Sequence, residues 1–182
     1  MAHEGHDHHE HEHEHEHHHH PHHGHAPSAV ATWVVTCSDT RDAASDEGGA
    51  VARDLIIAAG HSIAGQELVK DDALAIEHAL AHALEHGARC VIFTGGTGVS
   101  SRDVTIETLA PKFKKTLDGF GELFRALSFQ QIGSAAWLSR ASAGVIDGAL
   151  VFCLPGSPKA VRLALERLIL PELSHAVREV LR

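Results

Sequence analysis

Three short apolar runs in this chain each end in a polar loop carrying serine, threonine or glycine, and that repetition limits the folds open to it. Ala29 to Cys37 opens onto Ser38-Asp39-Thr40-Arg41-Asp42. Cys90 to Phe93 opens onto Thr94 to Asp103, and Ala149 to Leu154 onto Pro155-Gly156-Ser157-Pro158. Short runs of this composition, bounded by turn residues, read as buried strands. A further strand is predicted over Ile63 to Val69, and the Asp147-Gly148 dipeptide predicts a hairpin joining Gly144-Val145-Ile146 to Ala149 to Leu154.

Helical segments lie between the strands. One is predicted from about Gly49 to Ala59 with Gly60 beyond its end, and another from Asp71 or Asp72 as cap to His86, stopped by Gly87. Val104 to Leu109, a region beginning at Gly119, a stretch from Ile132 to Arg140, and a last helix capped by Ser157 with Pro158 at its first position complete the set. Pro171 is expected to kink that last helix. Strands alternating with helices imply an α/β fold with a mainly parallel sheet covered on both faces. Ligands of such sheets bind outside the carboxyl ends of the strands. The three polar loops therefore meet at one edge, which makes a crevice.

The loop from Thr94 to Asp103 carries the densest chemistry. Gly95, Gly96 and Gly98 let the backbone turn sharply and approach a ligand, and the N–H groups of such a turn converge on an anion. Arg102 and Asp103 set a phosphate-pairing cation beside a carboxylate able to hold Mg²⁺. Hydroxyls at Ser38, Thr94, Thr97 and Ser157 and carboxylates at Asp39, Asp71 and Asp103 join the same edge. Neither a GxxxxGK[ST] nor a GxGxxG motif occurs, and the histidines of the folded part make no nucleophile arrangement. The set suits phosphates with Mg²⁺, and hence phosphoryl or nucleotidyl transfer by positioning and charge neutralisation.

Composition narrows the partners. The formal net charge of −9 divides unevenly, because residues 1–25 hold six acids and no Lys or Arg. Eighteen acids against fifteen bases remain, a balance that offers nucleic acid no basic field. Cys37, Cys90 and Cys153 lie in separate apolar runs with no CxxC pair, which fits buried reduced thiols in a cytoplasmic protein. No membrane span or signal-peptide segment is evident. Residues 1–28 read as a disordered tail and 29–182 as the domain; fourteen of the nineteen histidines fall in the first 25 residues. Imidazoles at that density bind Ni²⁺, Zn²⁺, Cu²⁺ or Co²⁺, so a metal-handling role stands beside the enzymatic one. His78, His82 and His86, at four-residue spacing, are expected on a solvated helix face.

Ser38-Asp39, the TGGTG and RDVT runs within 94–105, Gly119-Phe120-Gly121-Glu122 and Leu154-Pro155-Gly156-Ser157-Pro158 together resemble the molybdopterin-binding domain. This is the family of molybdenum cofactor biosynthesis protein B and the molybdopterin adenylyltransferases. The resemblance spans about residues 29–180, and GFGELFR at 119–125 with Ser139-Arg140 is similar to the protein B branch. It implies a three-layer αβα fold assembled as a homotrimer or homohexamer. It also implies Mg²⁺-dependent adenylylation of molybdopterin by ATP, with pyrophosphate released before metal insertion. Asp71 and Asp103 would be the catalytic pair, with Asp103 as the Mg²⁺ ligand. Substrate and phosphate would contact Ser38, Asp39, Thr94, Gly95, Gly96, Thr97, Gly98, Arg102, Gly119, Glu122, Pro155, Gly156 and Ser157. A pterin-binding protein without catalysis is the alternative within the family.

Overall fold

The computed structural model describes residues 29–182, so the expectations for the histidine-rich segment lie outside the described residues. The strands are β1 (Ala31–Cys37), β2 (Ser62–Val69), β3 (Cys90–Thr94), β4 (Lys115–Thr116), β5 (Ser142–Ile146) and β6 (Ala149–Leu154). They form one sheet in the order β2-β1-β3-β6-β5-β4. Strands β2, β1, β3 and β6 are parallel, and β5 and β4 add two antiparallel strands at one side. The hairpin turn is the expected one, with Asp147 and Gly148 at φ 45° and 79°, the left-handed pair that a tight β5–β6 connection needs.

The helices are α1 (Glu47–Ala58), α2 (Ala73–Glu85), α3 (Thr105–Leu109), α4 (Asp118–Ile132), α5 (Pro158–Ala164) and α6 (Leu170–Val180). Helix α1 starts two residues earlier than its sequence pattern indicates, because buried Asp46 is its cap. One oxygen of Asp46 accepts from Gly49 N–H at 2.9 Å and the other from the Thr36 hydroxyl at 2.6 Å, tying the helix start to β1. Asp72 caps α2, accepting from Ala75 N–H at 3.0 Å, which leaves Asp71 free of that duty. The stretch expected to be helical from Ile132 to Arg140 is the end of α4 followed by a 3-10 turn over Gly133–Leu138. Pro171 has no N–H to continue a regular helix, and a π turn over Leu165–Ile169 joins α5 to α6 ahead of it.

Two apolar layers hold the sheet. On one face Val34, Ile92, Leu150, Phe152 and Leu154 pack under α1, α4, α5 and α6 through Ile56, Phe124, Val161 and Leu173. On the other, Trp33, Val35, Val91, Phe93, Val151 and Cys153 pack under α2 and α3 through Ile76, Leu80 and Leu109. The pleat sends alternate residues of each strand to opposite layers, which gives the three-layer αβα arrangement. Each fully buried Ile, Leu or Phe contributes roughly 1.5–3 kcal/mol, so the strand ends at the crevice rest on a rigid floor. Among the described residues no helix is long and apolar enough to cross a membrane.

Candidate active site

The carboxyl ends of β1, β2, β3 and β6 lie side by side, and the loops leaving them interlock. Gly95 N–H donates to Leu154 O at 2.9 Å and Ser38 N–H to Val69 O at 2.9 Å, so each loop begins hydrogen-bonded to its neighbour's strand. Gly95 and Gly96 turn the chain with φ 95° and 59°. A Cβ at Gly95 would fall on the carbonyl oxygen of Cys37, and one at Gly96 on the Thr105 hydroxyl. Thr105 pins this turn by donating its hydroxyl to Gly95 O and its N–H to Gly96 O, both at 3.0 Å.

Behind the turn sits Asp71. Its Oδ1 lies 2.7 Å from the place a Cβ on Gly96 would occupy, and it is buried without a hydrogen-bond partner. Loss of water raises its pKa above the ordinary carboxylate value, and the nearby Asp39 and Asp103 charges push the same way, while Arg102 opposes them. Asp39 accepts from Asp71 N–H at 3.3 Å and faces Arg102 Nη1 at 3.5 Å. Asp103 accepts from Ser100 N–H at 2.8 Å and stands 2.8 Å from the ideal Cβ position of Gly98. Three carboxylates share this corner with the exposed Arg102, a field that favours a cation. Among the described residues no group of three such side chains closes around an ion by itself.

In front of the turn opens a cavity of about 380 Å³, lined by Gly96, Thr97, Gly98, Asp103, Pro155, Gly156 and Ser157 on the loop side. Phe124, Ser128 and Ile132 of α4, with Leu138 and Ser139, form its other wall. A second cavity of about 410 Å³ adjoins it, sharing Ser139 and lined by Asp118, Arg125 and Arg140. Ser139 Oγ, like Asp71 Oδ1, is buried without a partner. Those two are the only such side-chain atoms among the described residues, and both lie at this edge.

Most residues singled out from sequence converge here, but not all. Thr94 is fully buried inside the sheet, where it donates its hydroxyl to Thr36 at 3.3 Å, and it lines neither cavity. Ser38 folds its own loop, accepting from Thr40 and Arg41 N–H groups at 3.3 and 3.1 Å. Ser157 caps α5 through Ala160 N–H at 3.3 Å, as predicted, while also lining the cavity. Gly119 and Glu122 are exposed in the first turns of α4 and line neither cavity; Gly121 is the glycine in close approach there, against Ala141 O.

Sequence reasoning passed over two arginines. Arg41 reaches over the third loop, its Nη1 3.1 Å from the ideal Cβ position of Gly156. Its place four residues past the end of β1 was the available signal. Arg140 donates from Nε to Thr97 O at 3.2 Å and grips Glu107 with both terminal nitrogens at 2.6 and 2.9 Å. That grip holds the Glu107 carboxyl below its ordinary pKa and braces the glycine loop. The thiols are inert by contrast: burial raises Cys37 and Cys90 to about 12.

Residues 33–175 match the family described as a probable molybdopterin binding domain. The molybdenum cofactor biosynthesis protein B of Bacillus subtilis is 48% identical over 157 residues, covering 85% of this chain and 92% of that protein. A crystal structure of a molybdenum cofactor biosynthesis protein B superimposes with TM-score 0.84 at 44% identity, covering 87% of this chain and 99% of the other. The tungsten cofactor synthesizing protein MoaB from Pyrococcus furiosus follows at TM-score 0.79 and 36% identity, covering 86% and 100%.

Proposed function

Since the chain belongs to the molybdenum cofactor biosynthesis protein B family, we propose that it adenylylates molybdopterin with ATP in an Mg²⁺-dependent reaction. A terminal phosphate oxygen of the pterin attacks the α-phosphorus of ATP. The bond from that phosphorus to the β-bridging oxygen breaks, and pyrophosphate leaves with the electron pair. The observation that carries this reading is the buried, unpartnered Oδ1 of Asp71 behind the Gly95-Gly96 turn, in a corner that Asp39 and Asp103 make electronegative. A buried carboxylate oxygen without a donor is expensive to keep unless something positive meets it.

The donor set fits Mg²⁺, a hard cation that takes one or two carboxylates and otherwise water and substrate phosphates. Asp103, with Asp71 beside it, would hold the ion, which supplies neutralisation of phosphate charge. The residues of the chain do the rest. The glycine turn keeps backbone within reach of phosphate oxygens, Arg102 and Arg41 provide cations, and Arg140 fixes Thr97 against the cavity. Two adjoining cavities give room for two substrates, each within the usual size of a ligand pocket, roughly 300–1,000 Å³.

Residues 29–182 act as the molybdopterin-binding domain in this reading, in the cytoplasm, and as a homotrimer or homohexamer. The self-association is supported by an exposed apolar band on α4 and the turn after it, where Phe129, Ile132 and Trp137 are 62%, 58% and 74% exposed. Ile132 also lines the cavity, so a second copy seated there would close the crevice. The deciding experiment is incubation of the purified chain with molybdopterin and MgATP. Release of pyrophosphate with formation of adenylylated pterin is expected; bound pterin without pyrophosphate would leave a binding protein instead.

A further inference from the structure

The second cavity holds a cation that the fold leaves almost unused. Arg125 lies one turn beyond Gly121 on α4, and its guanidinium rests over that glycine: a Cβ there would stand 2.9 Å from Nη1 and 3.1 Å from Nη2. The missing side chain lets the arginine lie back along the helix and line the cavity. Its protein contact is a long hydrogen bond, 3.4 Å from Nη1 to Ala141 O. Among the described residues no carboxylate pairs with it, although Asp118 lines the same cavity. Arg140 differs, because Glu107 already takes both of its terminal nitrogens. A half-buried guanidinium is a fork of N–H donors, and this one is open to an acceptor-rich anion.

Ser139 is a second, independent mark. Its hydroxyl oxygen is buried without a partner, and the residue belongs to the wall common to both cavities. A buried hydroxyl left unpaired is costly unless a ligand meets it. Ile106, Leu117 and the Trp137 indole give the second cavity an apolar stretch that suits a ring. The first cavity carries the glycine turn, Asp103 and the Pro155-Gly156-Ser157 loop, a set fitted to a nucleoside triphosphate and its cation. The second has none of these. Its free arginine, unpaired hydroxyl and apolar stretch match a ring compound that ends in a single phosphate.

We infer that the second cavity receives the pterin, with Arg125 binding its terminal phosphate and the Ser139 hydroxyl donating to the phosphate oxygen nearest the first cavity. The assignment rests on the molybdopterin reading above and adds which cavity each substrate takes. Equilibrium dialysis without ATP tests it, using the full chain with molybdopterin and with the same pterin after a phosphatase has removed its phosphate. The wild-type chain should prefer the phosphorylated form about tenfold or more. In Arg125→Gln that preference should fall to roughly threefold or less, and Arg125→Lys should recover part of it. Equal affinity of the wild-type chain for the two forms, or a preference unchanged in Arg125→Gln, overturns the assignment and leaves the adenylylation reading standing. Failure of the wild-type chain to bind either form would sink that reading and the assignment with it. A second measurement needs no variant. Molybdopterin, but not its dephosphorylated form, should protect Arg125 from phenylglyoxal, read by peptide mass spectrometry, while Arg53, which lines neither cavity, continues to react. Equal labelling of Arg125 in the presence of the two forms overturns the assignment.

Discussion

Gly95 and Cys37 approach so closely that a Cβ on the glycine would fall on the Cys37 carbonyl oxygen. The glycine also has φ 95°, so Gly95→Ala meets both a backbone clash and a left-handed conformation. A loss of about 2–4 kcal/mol is expected in urea unfolding. Gly60→Ala is the control: Gly60 has φ 83° with open space around its Cβ position, and only the conformational cost of roughly 1–2 kcal/mol applies. Equal losses in the two variants would remove the interlocked-loop account of the edge.

Asp71→Asn should stabilise the fold at neutral pH while abolishing most activity. The pKa of Asp71 is raised in the folded state, chiefly by loss of water and then by Asp39. Such a group favours folding below the ordinary carboxylate pKa and loses that contribution as pH rises through the folded value. The advantage of Asn should therefore be present at pH 7 and vanish in acid below about 3.9, the ordinary Asp value. Thermal unfolding of both chains across that range is the check.

Asp103→Asn separates chemistry from structure in the same corner of the turn. Asparagine keeps an acceptor for the Ser100 N–H but loses the charge. Pyrophosphate release should drop about 10²-fold or more, with stability altered by less than about 1 kcal/mol. A parallel loss of both would make Asp103 structural.

Arg140→Lys tests the brace on the glycine loop. Lysine cannot span Thr97 O and both Glu107 oxygens, since it lacks the planar fork. The Arg140–Glu107 pair is surface-exposed on the Glu side, so unfolding free energy should change by about 1 kcal/mol or less. A higher KM with a smaller change in kcat is the expected signature; unchanged steady-state kinetics would make the contact incidental.

His61 sets a pH limit on stability. Its Nδ1 accepts from Val30 N–H at 3.2 Å, and burial lowers its pKa from the ordinary value. A histidine with a lowered folded pKa favours folding above about 6.5 and loses that contribution as pH falls through the folded value. His61→Asn, which retains an acceptor, should flatten the fall in melting temperature between pH 6.5 and 5. Identical slopes for the two chains would contradict it.

Much of this architecture is legible in the sequence because its signals are local. Apolar runs ending at Ser38, Thr94 and Pro155 reveal parallel strands, and the edge rule for such sheets then assembles the crevice. What stays hidden depends on contacts between distant elements. Asp71 and Asp72 are equivalent as caps until the backbone of α2 selects Asp72. Thr94 resembles its neighbours in the loop, yet the β3 ladder carries one residue further and buries it. Lys115–Thr116 is too short and polar to show as a strand, and exists only because β5 offers it an edge. Arg41 and Arg140 reach the site from loops whose courses no periodicity describes.

Strand β1 runs for seven residues, Ala31–Cys37, and all but Ala31 are buried. It lies between β2 and β3, so its carboxyl end cannot shift without disturbing the ladders on both sides. The loops leaving these three strands therefore share one support, and whatever one of them holds meets a surface the other two have already set.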